Sequence, residues 1–306
     1  MQIVVLTTSH GQITQVESLL SSLTEFAQNS SSLKLNFVVV ESFLNPGLYC
    51  GLKDRFSGFF ESFEVLSVDS GNYWTGSIFS GLDFVTSLSH EFESIKSSRI
   101  VLVNCDVLPS SWNFLLKPKA LLETLSTVDL NNVVKRSGFS LPSPFLAVHH
   151  YPYKNKSLPK SDWFCKTVPT RLIVFPFEAL SIILAHRYLI YLLPHYSADF
   201  VLTSLVSSKL LTYWCVRADF SLTEDESTTG LKHISSLKIV NIKAVLFSRK
   251  SVFNICDAFF FPIFYSTLSL PFYCFPTYVF SYWSKYLVKL VVLFVIAFFD
   301  RLFSST

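Results

Sequence analysis

The sequence predicts an α/β fold: a mostly parallel central sheet with helices on both faces, followed by an aromatic-rich helical C-terminal tail. Three observations predict it. Short Val- and Leu-rich runs recur through the first 105 residues and stop abruptly at polar residues, the pattern of strands buried on both faces. Segments with apolar residues at helical spacing separate those runs, and repeated strand, helix, strand units imply a parallel sheet. Beyond residue 250 the pattern changes, and Phe, Tyr and Trp crowd a stretch with few charges.

Taken in order, Ile3 to Leu6 reads as the first strand, and Ile13, Val16, Leu19, Leu20, Leu23 and Phe26 then share one helical face. Asn36 to Val40 is a second strand, Asn45-Pro46-Gly47 a turn, and Phe63 to Val68 a third strand. Ile78, Leu82, Val85 and Leu88 mark another helix before the strand Arg99 to Val103. The loops that follow these strands converge on one edge, carrying Thr7 to His10, Glu41 to Gly47, Asp69 to Gly76 and Asn104 to Asp106. In open α/β sheets that carboxyl edge is where ligands bind.

Composition narrows the classes. The 306 residues allow one large domain or two small ones, and with half of them hydrophobic, 31 Phe and only 9 Gly, disorder is excluded for most of the chain. A formal charge of +3 is too weak to argue for nucleic acid. Six cysteines form no Cys-x-x-Cys pair and read as reduced core thiols; His149-His150 and His195 lack acidic partners at metal-ligand spacing and read as core or exposed histidines. Neither a P-loop nor Gly-x-Gly-x-x-Gly is present. Met1-Gln2 leads straight into the first strand without a signal-peptide pattern, so the expectation is a cytoplasmic N-terminal region.

Two carboxylates stand out. Asp106, in Asn104-Cys105-Asp106, follows a buried-type strand and is placed to hold a metal on a phosphorylated ligand, although locally the segment reads at least as well as a turn. Asp199 precedes a helical pattern through Val201, Leu202, Leu205 and Val206, and locally it reads as a helix cap or as a general base in a cleft.

Several segments in register carry a resemblance: Ile3 to Ser9 (IVVLTTS), Val38 to Gly47 (VVVESFLNPG), Gly71 to Gly81 (GNYWTGSIFSG) and Val101 to Asp106 (VLVNCD). They resemble the nucleotide-binding half of family 2 glycosyltransferases, whose GT-A fold is Rossmann-like. Asn72-Tyr73-Trp74-Thr75-Gly76 is similar to an Asn-x-Trp-Thr-Gly segment of bacterial enzymes that add sugars to cell-surface polysaccharides. Downstream, Thr170 to Leu180, Leu192 to Phe200, Thr228-Thr229-Gly230 and Leu246 to Asn254 follow the family's order, so the resemblance spans about residues 1 to 265.

The resemblance implies transfer of a sugar from a nucleotide-sugar donor to a glycan or lipid-linked glycan, by inversion and with Mg2+ or Mn2+. It implies that Asp106 holds the metal and diphosphate, with Asn104 offering a neutral oxygen, and that Thr7, Thr8 and Glu41 meet the nucleoside. Asp69, Asn72, Trp74 and Gly76 would line the same pocket, and Asp199 would take the acceptor proton. For Glu41 a solvated strand-end charge, and for Trp74 simple packing, are the competing readings. The implied organisation is a transferase domain over 1–250, divided into a nucleotide-binding half (1–106) and an acceptor half (107–250), and a membrane-associating region over 251–306.

The chain also departs from the family pattern. Asn104 replaces the first carboxylate of Asp-x-Asp, Thr170-Arg171-Leu172 stands for Gly-Arg-Gly, Val201 occupies a position often acidic, and a later Arg is missing from the helix through Leu205 and Val206. These losses keep open a non-catalytic sugar-binding or scaffold protein on the same fold.

After Ser251 only Asp257, Lys285, Lys289, Asp300 and Arg301 are charged. Pro262, Pro271, Pro276 and scattered serines argue against a clean spanning helix, and the apolar stretch Tyr286 to Phe299, 14 residues, is shorter than the ~20 that span a bilayer. The expectation is an interfacial helix whose Lys285, Lys289 and Arg301 meet anionic lipid at the inner face of the plasma membrane. A tilted spanning pass, and a buried helix or dimer contact, stay open.

Overall fold

The computed structural model describes residues 2–30, 33–43, 45–91, 98–109, 111–115, 148–149, 163–165, 172–193, 198–209, 213–215, 220–222, 246–247, 254–269 and 272–303. The predicted α/β sheet is present. Strands β1 (Gln2–Ser9), β2 (Lys34–Glu41), β3 (Ser62–Ser67) and β4 (Arg99–Asn104) lie in the order β3-β2-β1-β4, and every pairing among them is parallel. Their apolar residues alternate between two cores. Ile3, Val5, Phe37, Val39 and Val101 pack on one face with helix α1 (Ile13–Gln28) and helix α2 (Cys50–Phe56). Val4, Leu6, Val38, Val40 and Ile100 pack on the other with helix α3 (Tyr73–Glu91). Burial on both faces is why these strands read as continuous apolar runs rather than alternating ones.

Beyond β4 the sheet changes direction. A short β5 (Val107–Pro109) leaves it; β6 (Val148–His149) and β7 (Trp163–Cys165) belong to its far side, and β8 (Leu172–Pro176) returns antiparallel beside β4. Short helices α4 (Ala179–Leu184) and α5 (Leu189–Leu192) lead to α6 (Ala198–Lys209), whose Val201, Leu202, Leu205 and Val206 join the α3 core. Strand β9 (Tyr213–Cys215) completes the order β4-β8-β6-β9-β7, and β10 (Phe220–Leu222) pairs antiparallel with β5. His149 lies on β6; Arg171, His150, His195, Tyr196 and Thr228 to Gly230 lie outside the described residues.

The structure corrects several local expectations. The turn at Asn45-Pro46-Gly47 is a 3-10 turn started by Pro46 and the Asn45 side chain, and helix α2, not read from the sequence, follows it because Leu52 and Phe56 are drawn into the core. Helix α3 starts at Tyr73, so Trp74 and Gly76 stand on its first turns rather than in a loop. The core-thiol reading holds for Cys105, whereas Cys50 and Cys256 are exposed and Cys274 is half-buried, all four free.

In the tail, helix α7 (Ile255–Ser269) runs through Pro262, and α8 runs without interruption from Phe275 to Phe303, 29 residues that include the apolar stretch Tyr286 to Phe299. Pro276 does not break α8, because it falls in the first turn, where a missing N–H costs nothing; Ser281 and Ser284 stand on its exposed side. Among the described residues no helix is long and apolar enough to cross a membrane.

Candidate functional site at the carboxyl edge of the sheet

Parallel register brings the strand ends together: Ser9 lies opposite Glu41, Glu41 opposite Ser67, and Thr8 opposite Asn104. Thr7 is fully buried and its hydroxyl has no hydrogen-bond partner among the described residues, whereas Thr8 is partly exposed at the rim. Glu41 is 1% exposed, so its carboxylate is not a solvated strand-end charge. One oxygen accepts from the backbone N–H of Gly11 (3.1 Å) and of Phe43 (2.7 Å), and the other from the Tyr49 hydroxyl at 2.6 Å. That carboxylate thereby ties the loop after β1 to the loop after β2. Burial, and then the hydrogen bond to Glu41, push the Tyr49 hydroxyl far above its usual range, so it stays a donor.

A second chain of contacts reaches β4. Ser9 Oγ accepts from Gln12 N–H at 3.1 Å, and the Cys105 thiol donates to Gln12 Oε1 at 3.2 Å. Burial pushes the Cys105 thiol up, and the charges of Asp106 and Glu41 add to the effect, so both carboxylates reach the same point. Asn104 and Asp106 are themselves partly exposed, in the turn between β4 and β5.

Helix α3 joins this edge to the second half of the chain. Trp74 Nε1 donates to Asn104 Oδ1 at 3.4 Å, and the next residue, the fully buried Thr75, donates its hydroxyl to the Leu193 carbonyl at 2.7 Å. Leu193 closes α5, and five residues on α6 begins with Asp199 in its first turn. Asp199 is partly exposed, and its Oδ1 accepts from Phe200 N–H at 2.8 Å. Asp69 is exposed and accepts from Gly71 N–H at 2.6 Å, shaping the turn that ends at Asn72 and opens α3.

Sequence reading missed Tyr49, Gln12, Ser42, His10 and Phe43. His10 Nδ1 lies 3.0 Å from Ser42 Oγ, and its ring sits 5.0 Å from that of Phe43, which is 68% exposed at the rim. The signal available was position: each lies within a loop after β1 or β2, yet none belongs to a recognisable motif.

No family model matches the sequence, and no curated protein matches it. Solved structures do. The chain is similar to S. aureus TarS 1-349 in complex with UDP-GlcNAc, at 10% identity and a TM-score of 0.42, covering 96% of this chain and 81% of that one. It is also similar to the mannosyltransferase PcManGT from Pyrobaculum calidifontis in complex with GDP-Man and Mn2+, at 13% identity and a TM-score of 0.43, covering 71% and 55%. Mouse xyloside xylosyltransferase 1 follows at 11% identity and a TM-score of 0.32, covering 62% and 72%. The chain spans 37% of the longer TarS structure and 60% of the shorter one crystallised with UDP.

Proposed function

We propose that the protein is a glycosyltransferase that moves a sugar from a nucleotide-sugar donor to a glycan or lipid-linked glycan, with inversion. The observation that carries this reading is the pair of contacts from the first turn of α3, to Asn104 on one side and to Leu193 on the other. It ties the turn that would face the diphosphate to the end of α5, five residues before α6 and the proposed base Asp199. In that step the acceptor oxygen bonds to the anomeric carbon, the bond to the diphosphate breaks, and the acceptor proton passes to Asp199. The loops after β1 and β2, braced by Glu41, hold the nucleoside, with Thr7, Thr8, Asp69, Asn72, Trp74 and Gly76 around it.

Asp106 and Asn104 would hold Mg2+ or Mn2+. Among the described residues no three metal-capable side chains cluster, but one carboxylate and one amide oxygen suit a hard cation that completes its shell with diphosphate oxygens and water. When bound, such a cation neutralises the charge that develops on the leaving diphosphate.

The protein would associate with a membrane, at its cytoplasmic face, and the exposed side of α8 supports the association. Phe280, Leu287, Val288, Val291, Val292 and Val295 form an exposed apolar strip, with exposed Lys285 and Lys289 along its border. Residues 1–250 would then be the catalytic unit and 251–306 its membrane contact.

A panel of UDP-, GDP- and dTDP-sugars with Mn2+ or Mg2+ tests the activity, scored as donor turnover with and without glycan acceptors. Turnover that vanishes in Asp199→Asn while donor binding persists supports the reading. Donor binding with no turnover in any combination supports instead the sugar-binding or scaffold reading, which the fully buried Val201 at a position usually acidic in the family favours.

A further inference from the structure

Asp257 stands in the first turn of α7, beneath the Asn254 side chain that caps that helix by accepting from Cys256 N–H (2.8 Å) and Asp257 N–H (3.1 Å). The residue is 5% exposed, and among the described residues neither oxygen of its carboxyl has a hydrogen-bond partner. A buried carboxylate without donors is expensive, whereas a neutral carboxyl in the same place is not. Helix α7 packs along α6, with the Phe200 and Phe261 rings 6.3 Å apart, and the charge of Asp199 reaches Asp257. Each carboxyl therefore sits in the first turn of one of two helices packed together.

We infer that Asp257 and Asp199 form a carboxyl pair across the α6–α7 contact, in which Asp257 is a positioning residue that stays protonated, leaving Asp199 alone to carry charge and accept a proton. The inference rests on the reading of Asp199 as the base. During transfer the acceptor hydroxyl proton moves to Asp199 and the Asp257 proton stays where it is. Were both ionised, two negative charges would stand in the first turns of packed helices, the buried one without a donor among the described residues.

Burial, and next the charge of Asp199, push Asp257 up from 3.8 to about 8. The other titratable groups that sense it are Tyr282 and Tyr286 of α8, raised first by burial and in part by Asp257. Tyr191 of α5 and Tyr273 before α8 are 75% and 80% exposed, and Lys285 and Lys289 are also exposed. A raised value means that the native state binds the extra proton. The associated stability is complete below the unfolded value, declines as pH rises, and is gone once pH passes about 8.

Infrared spectroscopy of the full chain tests the pair without any substrate. At neutral pH the wild type should show a protonated-carboxyl band that disappears as pH passes about 8, that Asp257→Asn lacks, and that Asp199→Asn loses at lower pH. Absence of the band in wild type, or an unchanged titration in Asp199→Asn, overturns the pair, and the wild-type spectrum decides even where a variant fails to fold. With an active donor, the wild-type rate should fall through the same pH while Asp257→Asn holds its rate; identical alkaline limbs overturn the positioning role. Normal turnover by Asp199→Asn removes the base reading and leaves the infrared result intact.

Discussion

At the scale of single residues, Glu41 and Asp199 illustrate two ways in which a carboxylate serves a site. Glu41 is consumed by three donors and holds two loops in place. Tyr49→Phe removes a donor from this buried carboxylate, so it should cost about 1–3 kcal/mol, read by chemical denaturation. Asp199 uses one oxygen on its own helix, and the proposed function gives it the acceptor proton. Asp199→Asn should lower turnover by about 10²–10⁴-fold with little change in donor affinity, measured by steady-state kinetics beside a binding titration. Asp106 and Asp199 were legible as single letters because they end a buried run and open a helical one. Tyr49 was not: nothing within the stretch from Asn45 to Phe56 announces that a tyrosine there will meet a glutamate eight residues earlier.

Helix α3 carries the argument at the element scale. Its Gly81 rests on the sheet so closely that an added Cβ would lie 2.5 Å from Leu6 Cδ1 and 2.9 Å from Val40 Cγ2. Gly81→Ala must push the helix outward, at about 1–3 kcal/mol of stability. Because the first turn of α3 also holds Asn104 and Leu193, the same variant should lose donor affinity beyond what its stability loss explains; thermal melts with and without donor nucleotide separate the two. The early start of α3 has a tertiary cause as well. Thr75 satisfies the Leu193 carbonyl 118 residues away, a bond invisible to any local pattern, and the exposed Arg187–Asp83 ion pair adds a weaker link from the same helix to the segment before α5. Helix α7 tells a similar story, since Pro262 is tolerated inside it where periodicity alone argues for a break, with the helix sandwiched between α6 and α8.

For the whole molecule, the consequence is one of orientation. The apolar strip of α8 faces away from α7 with two lysines on its border, the arrangement that lets a helix lie in a lipid interface. Leu287→Glu together with Val291→Glu, both at exposed positions, should abolish co-flotation with vesicles containing anionic lipid and leave the melting temperature unchanged. Binding by the parent chain should weaken with salt, since each basic residue near such a surface contributes about 1 kcal/mol. Persistent flotation of the double variant would show that the strip is not the contact. The sequence by itself determined the parallel four-strand half, its helical faces and the edge on which the loops gather, because strands buried on both faces leave short β-branched runs that stop at polar residues and alternate with helical periodicity. Only the tertiary structure decided where α3 begins, how Glu41 is engaged and that Asp257 is buried on a helix packed against that of Asp199. Those outcomes depend on contacts between residues far apart in the chain, whose free energy overrides local preference and leaves no trace in neighbouring letters.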